Sequence, residues 1–168
     1  MSNPIRQIFL DQDGVLADFE SGLIKTLGYE VDLKTNKDIY HQEKRKLTAQ
    51  RLFRNLDPLP DAWKLVDWCL NSGIHTEILT SAGTVNRTIV IKDKIDWIRR
   101  YVSPHWIVIP TFNGYQKAAF AHKKAVLIDD RRRNIDCWTE AGGIGVLHKT
   151  SDETIKQLNE IINNGRKL

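Results

Sequence analysis

The chain has only two cysteines, Cys69 and Cys137, far apart and each inside an apolar segment. That excludes a disulfide framework and a structural zinc site, and both thiols read as core. No apolar run approaches the roughly 18 residues of a membrane helix. The opening "MSNPIRQ" lacks the apolar stretch of a secretory signal, so the expectation is a cytoplasmic protein with no membrane partner. Internal repeats and low-complexity tracts are absent as well.

What is present fits one globular domain: 168 residues, 41% of them apolar and 27% charged, enough for a proper core and a small insertion. The net charge of +4 is unevenly spread. Between Lys34 and Arg54 stand seven basic residues (Lys34, Lys37, Lys44, Arg45, Lys46, Arg51, Arg54) against Asp38 and Glu43, and the rest of the chain is close to neutral. Such a segment suits an anionic substrate or partner, and equally a solvated helix face.

Short β-rich runs alternate with helical patterns. Ile5 to Leu10 reads as a strand. "PDAWKLVDWCLNSG" reads as a helix with Asp61 as cap, an apolar stripe of Ala62, Leu65, Val66 and Cys69, and Gly73 as its stop. Glu77 to Leu79 is a strand, and Ile91, Ile95, Ile98 and Val102 mark the buried face of the next helix. "HWIVIP" is strand-like, Gln116 to His122 a short helix, and "AVLIDD" a continuous apolar run of the kind a doubly covered parallel strand shows. Asn134 to Ala141 is helical, "GGIGVL" a strand, and Ser151 caps a final helix with Ile155, Leu158 and Ile162 inward. The five tryptophans read as core. The repeated strand and helix predict an α/β fold with a mainly parallel sheet. Residues 17–56 break that rhythm, so the expected organisation is a core of 1–16 and 57–168 with a small helical cap of 17–56 inserted after the first strand.

Ligands bind outside the carboxyl ends of the strands in such sheets. Four polar groups fall there: Asp11 and Asp13 in "IFLDQDG", Thr80 and Ser81 in "EILTSAG", Lys117 after "HWIVIP", and Asp129 with Asp130 closing "AVLIDD". Converging carboxylates repel one another unless a cation sits among them, and Mg²⁺ suits an oxygen-only set. In an extended segment Asp11 and Asp13 point the same way. Asp11 can then attack phosphorus as a nucleophile, while Asp13 protonates the leaving oxygen and later activates water. Gly14 lets the chain turn away without a Cβ. An EF-hand loop is excluded, because its sixth and twelfth positions would be Leu16 and Gly22. Among the lysines, Lys123 and Lys124 precede their strand and so lie at the wrong edge. Lys94 lies two turns into its helix, which leaves Lys117.

Together these residues resemble the haloacid dehalogenase superfamily of phosphohydrolases: DxDG at the first strand, Thr or Ser at the second, a lysine, and a paired aspartate. "RLFRNLDPLPDAW", "EILTSAG", "KIDWIRRYV" and "VLIDDR" look more narrowly like 5′(3′)-deoxyribonucleotidases. "TSAG" lacks the proline that often follows Thr-Ser there, and residues 29–50 show no likeness. The resemblance implies a Rossmann-like three-layer sandwich that dephosphorylates nucleoside monophosphates through an aspartyl-phosphate on Asp11. Mg²⁺ would be held by Asp11, the backbone carbonyl of Asp13, Asp129 and Asp130, and phosphate by Thr80, Ser81 and Lys117. Phe19 would pack on the nucleobase, or belong to the cap core. Two other substrate classes stay open, nucleic-acid ends and another small phosphorylated metabolite, and so does a non-catalytic binding protein. Oligomeric state is open, a homodimer included.

Overall fold

The structure, a computed structural model, describes residues 5–36 and 38–165; Lys37 of the basic segment and both chain ends lie outside the described residues. Five strands form one parallel sheet: β1 (Gln7–Leu10), β2 (His75–Ser81), β3 (Val108–Thr111), β4 (Ala125–Asp129) and β5 (Ile144–Leu147), in the order β3-β2-β1-β4-β5. Among the described residues six helices accompany them: α1 (Phe19–Leu27), α2 (Ile39–Ala49), α3 (Ala62–Ser72), α4 (Arg87–Tyr101), α5 (Arg132–Glu140) and α6 (Ser151–Gly165). Two 3₁₀ segments, Leu52–Arg54 and Tyr115–Phe120, complete the elements, the second standing where a short helix was expected at Gln116 to His122. Among the described residues no helix is long and apolar enough to cross a membrane.

The sheet is covered on both sides. β4 is buried along its whole length, as its unbroken apolar run requires. Ile8, Leu10, Ile78, Val126 and Ile128 point into the larger core with residues of α1, α3, α4 and α6. Phe9, Leu79 and Leu127 face the other way, onto Ile135 and Trp138 of α5. The strand order reverses between β1 and β4, and this is where a crevice opens at the carboxyl edge. Leu10 is in register with Ile128, so Asp11 and Asp129 emerge side by side.

Residues 17–56 supply α1, α2 and the first 3₁₀ segment, without a strand among the described residues. Their apolar side chains, among them Leu23, Leu27, Leu47, Leu52 and Leu56, join the same cluster as the sheet residues.

Four local readings are corrected. The stripe Ile91, Ile95, Ile98, Val102 does not define the inner face of α4; Val90, Asp93, Lys94, Trp97 and Ile98 do. The helix is turned by about one residue, roughly 100°, because Asp93 and Lys94 each have an ionic partner inside the protein. Asp61 does not cap its own helix with its side chain. Its Oδ2 instead accepts from the Ser151 N–H at 2.6 Å, while Thr150 Oγ1 accepts from the Glu153 N–H, so α6 is capped by Asp61 and Thr150 rather than Ser151. Trp63 is 43% exposed, on the outer side of α3, whereas Trp97 and Trp138 are core.

The Asp61 contact joins α3 to α6 across 90 residues. Asp61→Ala is expected to lower unfolding free energy in urea by about 1–2 kcal/mol, the usual cost of an N-terminal cap. Asp152→Ala, which removes an exposed ion pair with Lys64 and one of two acidic residues in the first turn of α6, should change it less. Equal effects would show that Asp61 is not a cap.

Candidate active site

β1 ends in an acidic turn whose two carboxylates meet different partners. Asp11 is 7% exposed, and its Oδ1 accepts from the Gln12 N–H at 2.8 Å and pairs with Lys117 Nζ at 2.9 Å. Both contacts fall on one oxygen. Burial works against its charge, but Lys117 and Lys94 together outweigh that and hold the Asp11 carboxyl below the usual carboxylate range. Asp13 Oδ2 accepts from Lys94 Nζ at 2.5 Å, whereas its Oδ1 is out of water with no partner among the described residues. Here burial prevails over Lys94, and the nearby Asp11 charge adds to it, so the Asp13 carboxyl titrates above the usual range. Gly14 follows with φ of +77°, and a Cβ there would collide with the Asp130 carboxylate. Both the left-handed turn and this close approach require glycine.

At the end of β4, Asp129 is fully buried and densely bonded. Lys117 Nζ lies 2.6 Å from its Oδ2, Asn134 Nδ2 donates to both oxygens at 3.0 Å, and the Arg131 N–H donates to Oδ1 at 2.9 Å. Burial, and then the charge of Asp11, push its carboxyl upward. Lys117 sits between Asp11 and Asp129, 1% exposed; its own burial is outweighed by these two charges, which keep it protonated. Asn134 was not singled out in the sequence. It lies one turn into α5, which follows Asp129 directly, and that spacing is its only sequence signal. A Cβ on Gly114 would collide with its side-chain amide.

Lys94 is the residue sequence reasoning placed wrongly. It does lie two turns into a helix that starts at Arg87, yet it is 1% exposed and reaches Asp13 and, at 3.1 Å, Thr80 Oγ1. The expectation assumed that α4 presents its isoleucines to the sheet. With the helix turned by a residue, the stem of Lys94 runs to the carboxyl edge. Thr80 is buried and holds Lys94, whereas Ser81 lines the open cavity with Asp11, Asp13 and Lys117.

Each of Asp11, Asp129 and Asp130 offers a carboxylate oxygen, and the three oxygens lie within 4.8 Å of one another. The Asp13 carboxylate stands outside this group, beside Lys94. Four carboxylates face two buried ammonium groups, which leaves two negative charges uncompensated by them. An all-oxygen trio with that residual charge fits a hard divalent cation such as Mg²⁺. Asp130 registers the imbalance: the crowded surroundings and the charges of Asp11 and Asp129 push its carboxyl up to about 7, against the opposing pull of Arg131 and Lys117.

The inner cavity, about 210 Å³, adjoins a larger one of about 530 Å³ lined by residues of the insertion and of the sheet edge. Phe19, Tyr40, Asp13 and Arg131 line both. Phe19 opens α1, with Tyr40 edge-on at 5.2 Å and Phe53 stacked at 6.1 Å. Of the basic segment, Lys44 lies over the Tyr40 ring and Arg51 pairs with Asp93. The Arg131 backbone N–H bonds Asp129, and the residue lines both cavities.

No protein-family model matches the chain, nor does any curated protein. Solved structures do match over nearly its whole length. A haloacid dehalogenase-like family hydrolase from Xanthomonas campestris aligns with a TM-score of 0.66 and 11% identity over 99% of this chain and 96% of that one. A β-phosphoglucomutase from Clostridium difficile aligns at 0.56 and 14%, over 98% and 100%. A hydrolase of the same family from Deinococcus radiodurans, with bound phosphate and sodium, aligns at 0.53 and 14%, over 95% and 89%. The chain therefore has the Rossmann-like fold of the haloacid dehalogenase-type hydrolases, a parallel sheet with helices on both faces.

The charge imbalance sets a pH dependence. A carboxyl that titrates near 7 folded and near 4 unfolded stabilises the fold below pH 4, and loses that contribution as pH rises through 7. In EDTA, the wild-type melting temperature is expected to fall between pH 5 and 8 relative to Asp130→Asn. Mg²⁺ should raise it more at pH 8 than at pH 5, since its ligands must be deprotonated. Parallel pH profiles for the two proteins, with no response to Mg²⁺, would contradict the charge account.

Proposed function

We propose that the protein is a Mg²⁺-dependent phosphatase that hydrolyses the phosphate monoester of deoxyribo- or ribonucleoside monophosphates through an aspartyl-phosphate. The observation that carries this is the division between Asp11 and Asp13. Two carboxyls two residues apart are pushed in opposite directions: Lys117 and Lys94 hold Asp11 below the usual carboxylate range, while burial and the Asp11 charge raise Asp13 above it. Opposed shifts of that kind assign a base or nucleophile and an acid.

In the first half-reaction an Asp11 oxygen forms a bond to phosphorus as the bond from phosphorus to the ester oxygen breaks. Asp13 gives its proton to that departing oxygen. In the second, Asp13 takes a proton from water, whose oxygen attacks the same phosphorus and releases Asp11 as a carboxylate. The Lys117 ammonium and the Ser81 hydroxyl, both lining the inner cavity, would hold the phosphoryl oxygens. Mg²⁺ on Asp11, Asp129 and Asp130 would supply charge neutralisation between the nucleophile and the phosphate dianion.

The outer cavity supports a nucleoside as the leaving group. Its volume lies in the range of small-molecule sites, and it combines the Phe19 and Tyr40 rings with Asn36, His41 and Lys149. A second reading, the phosphorylated end of a nucleic acid, rests on Arg131 and Arg133, exposed residues at the inner cavity that make no ion pair among the described residues.

The test is phosphate release from deoxy- and ribonucleoside monophosphates, a 3′-phosphorylated oligonucleotide and a sugar phosphate, in Mg²⁺ and in EDTA. Release from one or a few mononucleotides is expected, lost in EDTA and at least about 10³-fold lower in Asp11→Asn, the scale of removing a covalent nucleophile. Activity confined to the oligonucleotide, and falling steeply with salt, would move the substrate to strand ends. No release from any compound, or full activity in Asp11→Asn, would overturn the proposal.

A further inference from the structure

The insertion returns to the core through residues 50–56, and α4 grips that return at successive points. Arg51 donates from Nε at 2.8 Å, and also from Nη2, to Asp93 Oδ1. Phe53 places its ring 4.4 Å from Lys94 Nζ. The Leu56 carbonyl accepts from Trp97 Nε1 at 2.8 Å. Residues 93, 94 and 97 share one face of α4, so each rung of the helix holds a later residue of the incoming segment. A fourth contact closes the start of the seam, where Asn86 Nδ2 donates to the Arg45 carbonyl at 3.1 Å and to Thr48 Oγ1 at 2.8 Å.

Backbone strain gathers on the same seam. Among the described residues, the non-glycine positions with left-handed φ are Arg51 at 64° and Asn86 at 48°. Such conformations persist where surrounding contacts over-determine them. Both residues here use the strained backbone to aim a side chain across the seam.

Asp93 is 1% exposed, and Arg51 is its ionic partner. A buried carboxylate stripped of its partner is costly enough to draw in water or shift its helix. The next residue along that helix is Lys94, which holds Asp13 and Thr80. We infer that the Arg51–Asp93 pair is a positioning element for the reaction. It fixes the rotation of α4, which in turn keeps the Lys94 ammonium on Asp13 and so keeps that carboxyl aimed at the leaving oxygen. Arg51 lines neither of the two cavities at the sheet edge, so it acts through Lys94 and not on substrate.

This inference rests on the reading of Asp13 as the proton-transfer group, and its test has one arm that needs no turnover. Trace acetylation followed by mass spectrometry measures the accessibility of Lys94 against the exposed Lys64 in the same protein. Lys94 should be strongly protected in the wild type, about fivefold or more reactive in Arg51→Gln, and close to wild type in Arg51→Lys, on the scale expected when a buried site begins to open locally. In the kinetic arm, Arg51→Gln should lower kcat by roughly 10- to 100-fold with KM within about threefold, since a misplacement near 1 Å can cost 10²-fold. Arg51→Lys should recover most of that loss.

If Arg51→Gln does not fold, Asn86→Gly carries the test, because it keeps the left-handed backbone while removing the side-chain contacts. It should move both readouts the same way, by less. Unchanged Lys94 protection in a folded variant overturns the inference whether or not the protein is a phosphatase, and so does a loss confined to KM. A wild type inactive on every phosphate ester defeats the functional proposal alone, and the labelling result then decides whether Arg51 holds Lys94.

Discussion

Four carboxylates crowd the carboxyl edge of a parallel sheet, and the surrounding structure answers that charge. β1 and β4 are neighbours in register, so Asp11 and Asp129 emerge together from a buried core. Charge that dense is tolerable only with compensation close by. The chain supplies two ammonium groups from opposite directions, Lys117 from the 3₁₀ segment after β3 and Lys94 from the middle of α4. Each is buried to the same degree, and each takes a different aspartate of the pair in β1's turn. The asymmetry between Asp11 and Asp13 follows from these partners: two donors converge on one oxygen of Asp11, while an oxygen of Asp13 is buried without a partner among the described residues.

The same constraint shapes the helix that carries Lys94. A helix with four aliphatic residues in register would ordinarily turn that stripe inward. α4 instead buries an aspartate and a lysine side by side, with Arg51 on one and Asp13 on the other. Ionic pairing at two fixed points outweighs the modest gain from burying Ile91 and Ile95 more fully. The insertion is thereby tied to the carboxyl edge of the sheet through charged contacts as well as through the apolar cluster it shares with the sheet.

These features also explain what could be read in the sequence. The strands themselves and the aspartates at their ends were legible because continuous apolar runs such as "AVLIDD" and "IFLD" state both the strand and the place where it stops. Lys117 was legible because the chain can reach the edge only once between β3 and β4. Lys94, Asn134 and the Arg51–Asp93 pair were not. A hydrophobic stripe reports the buried face of a helix only when the buried residues are apolar, and in α4 two of them are charged. Likewise, Asp61 stands where a helix cap belongs, but its partner Ser151 is 90 residues away, and local spacing carries no trace of such a contact.

The central claim is that Asp11 is a nucleophile beside a divalent-cation site made by Asp11, Asp129 and Asp130. A crystal structure of the protein grown with Mg²⁺ and beryllium trifluoride, a mimic of a phosphoryl group on a carboxylate, tests it most directly. The expected density joins beryllium to an Asp11 oxygen, with Lys117 and Ser81 on its fluorines and a metal among the three aspartates. Beryllium trifluoride on another residue, or a metal held elsewhere while Asp11 stays unmodified, would contradict it.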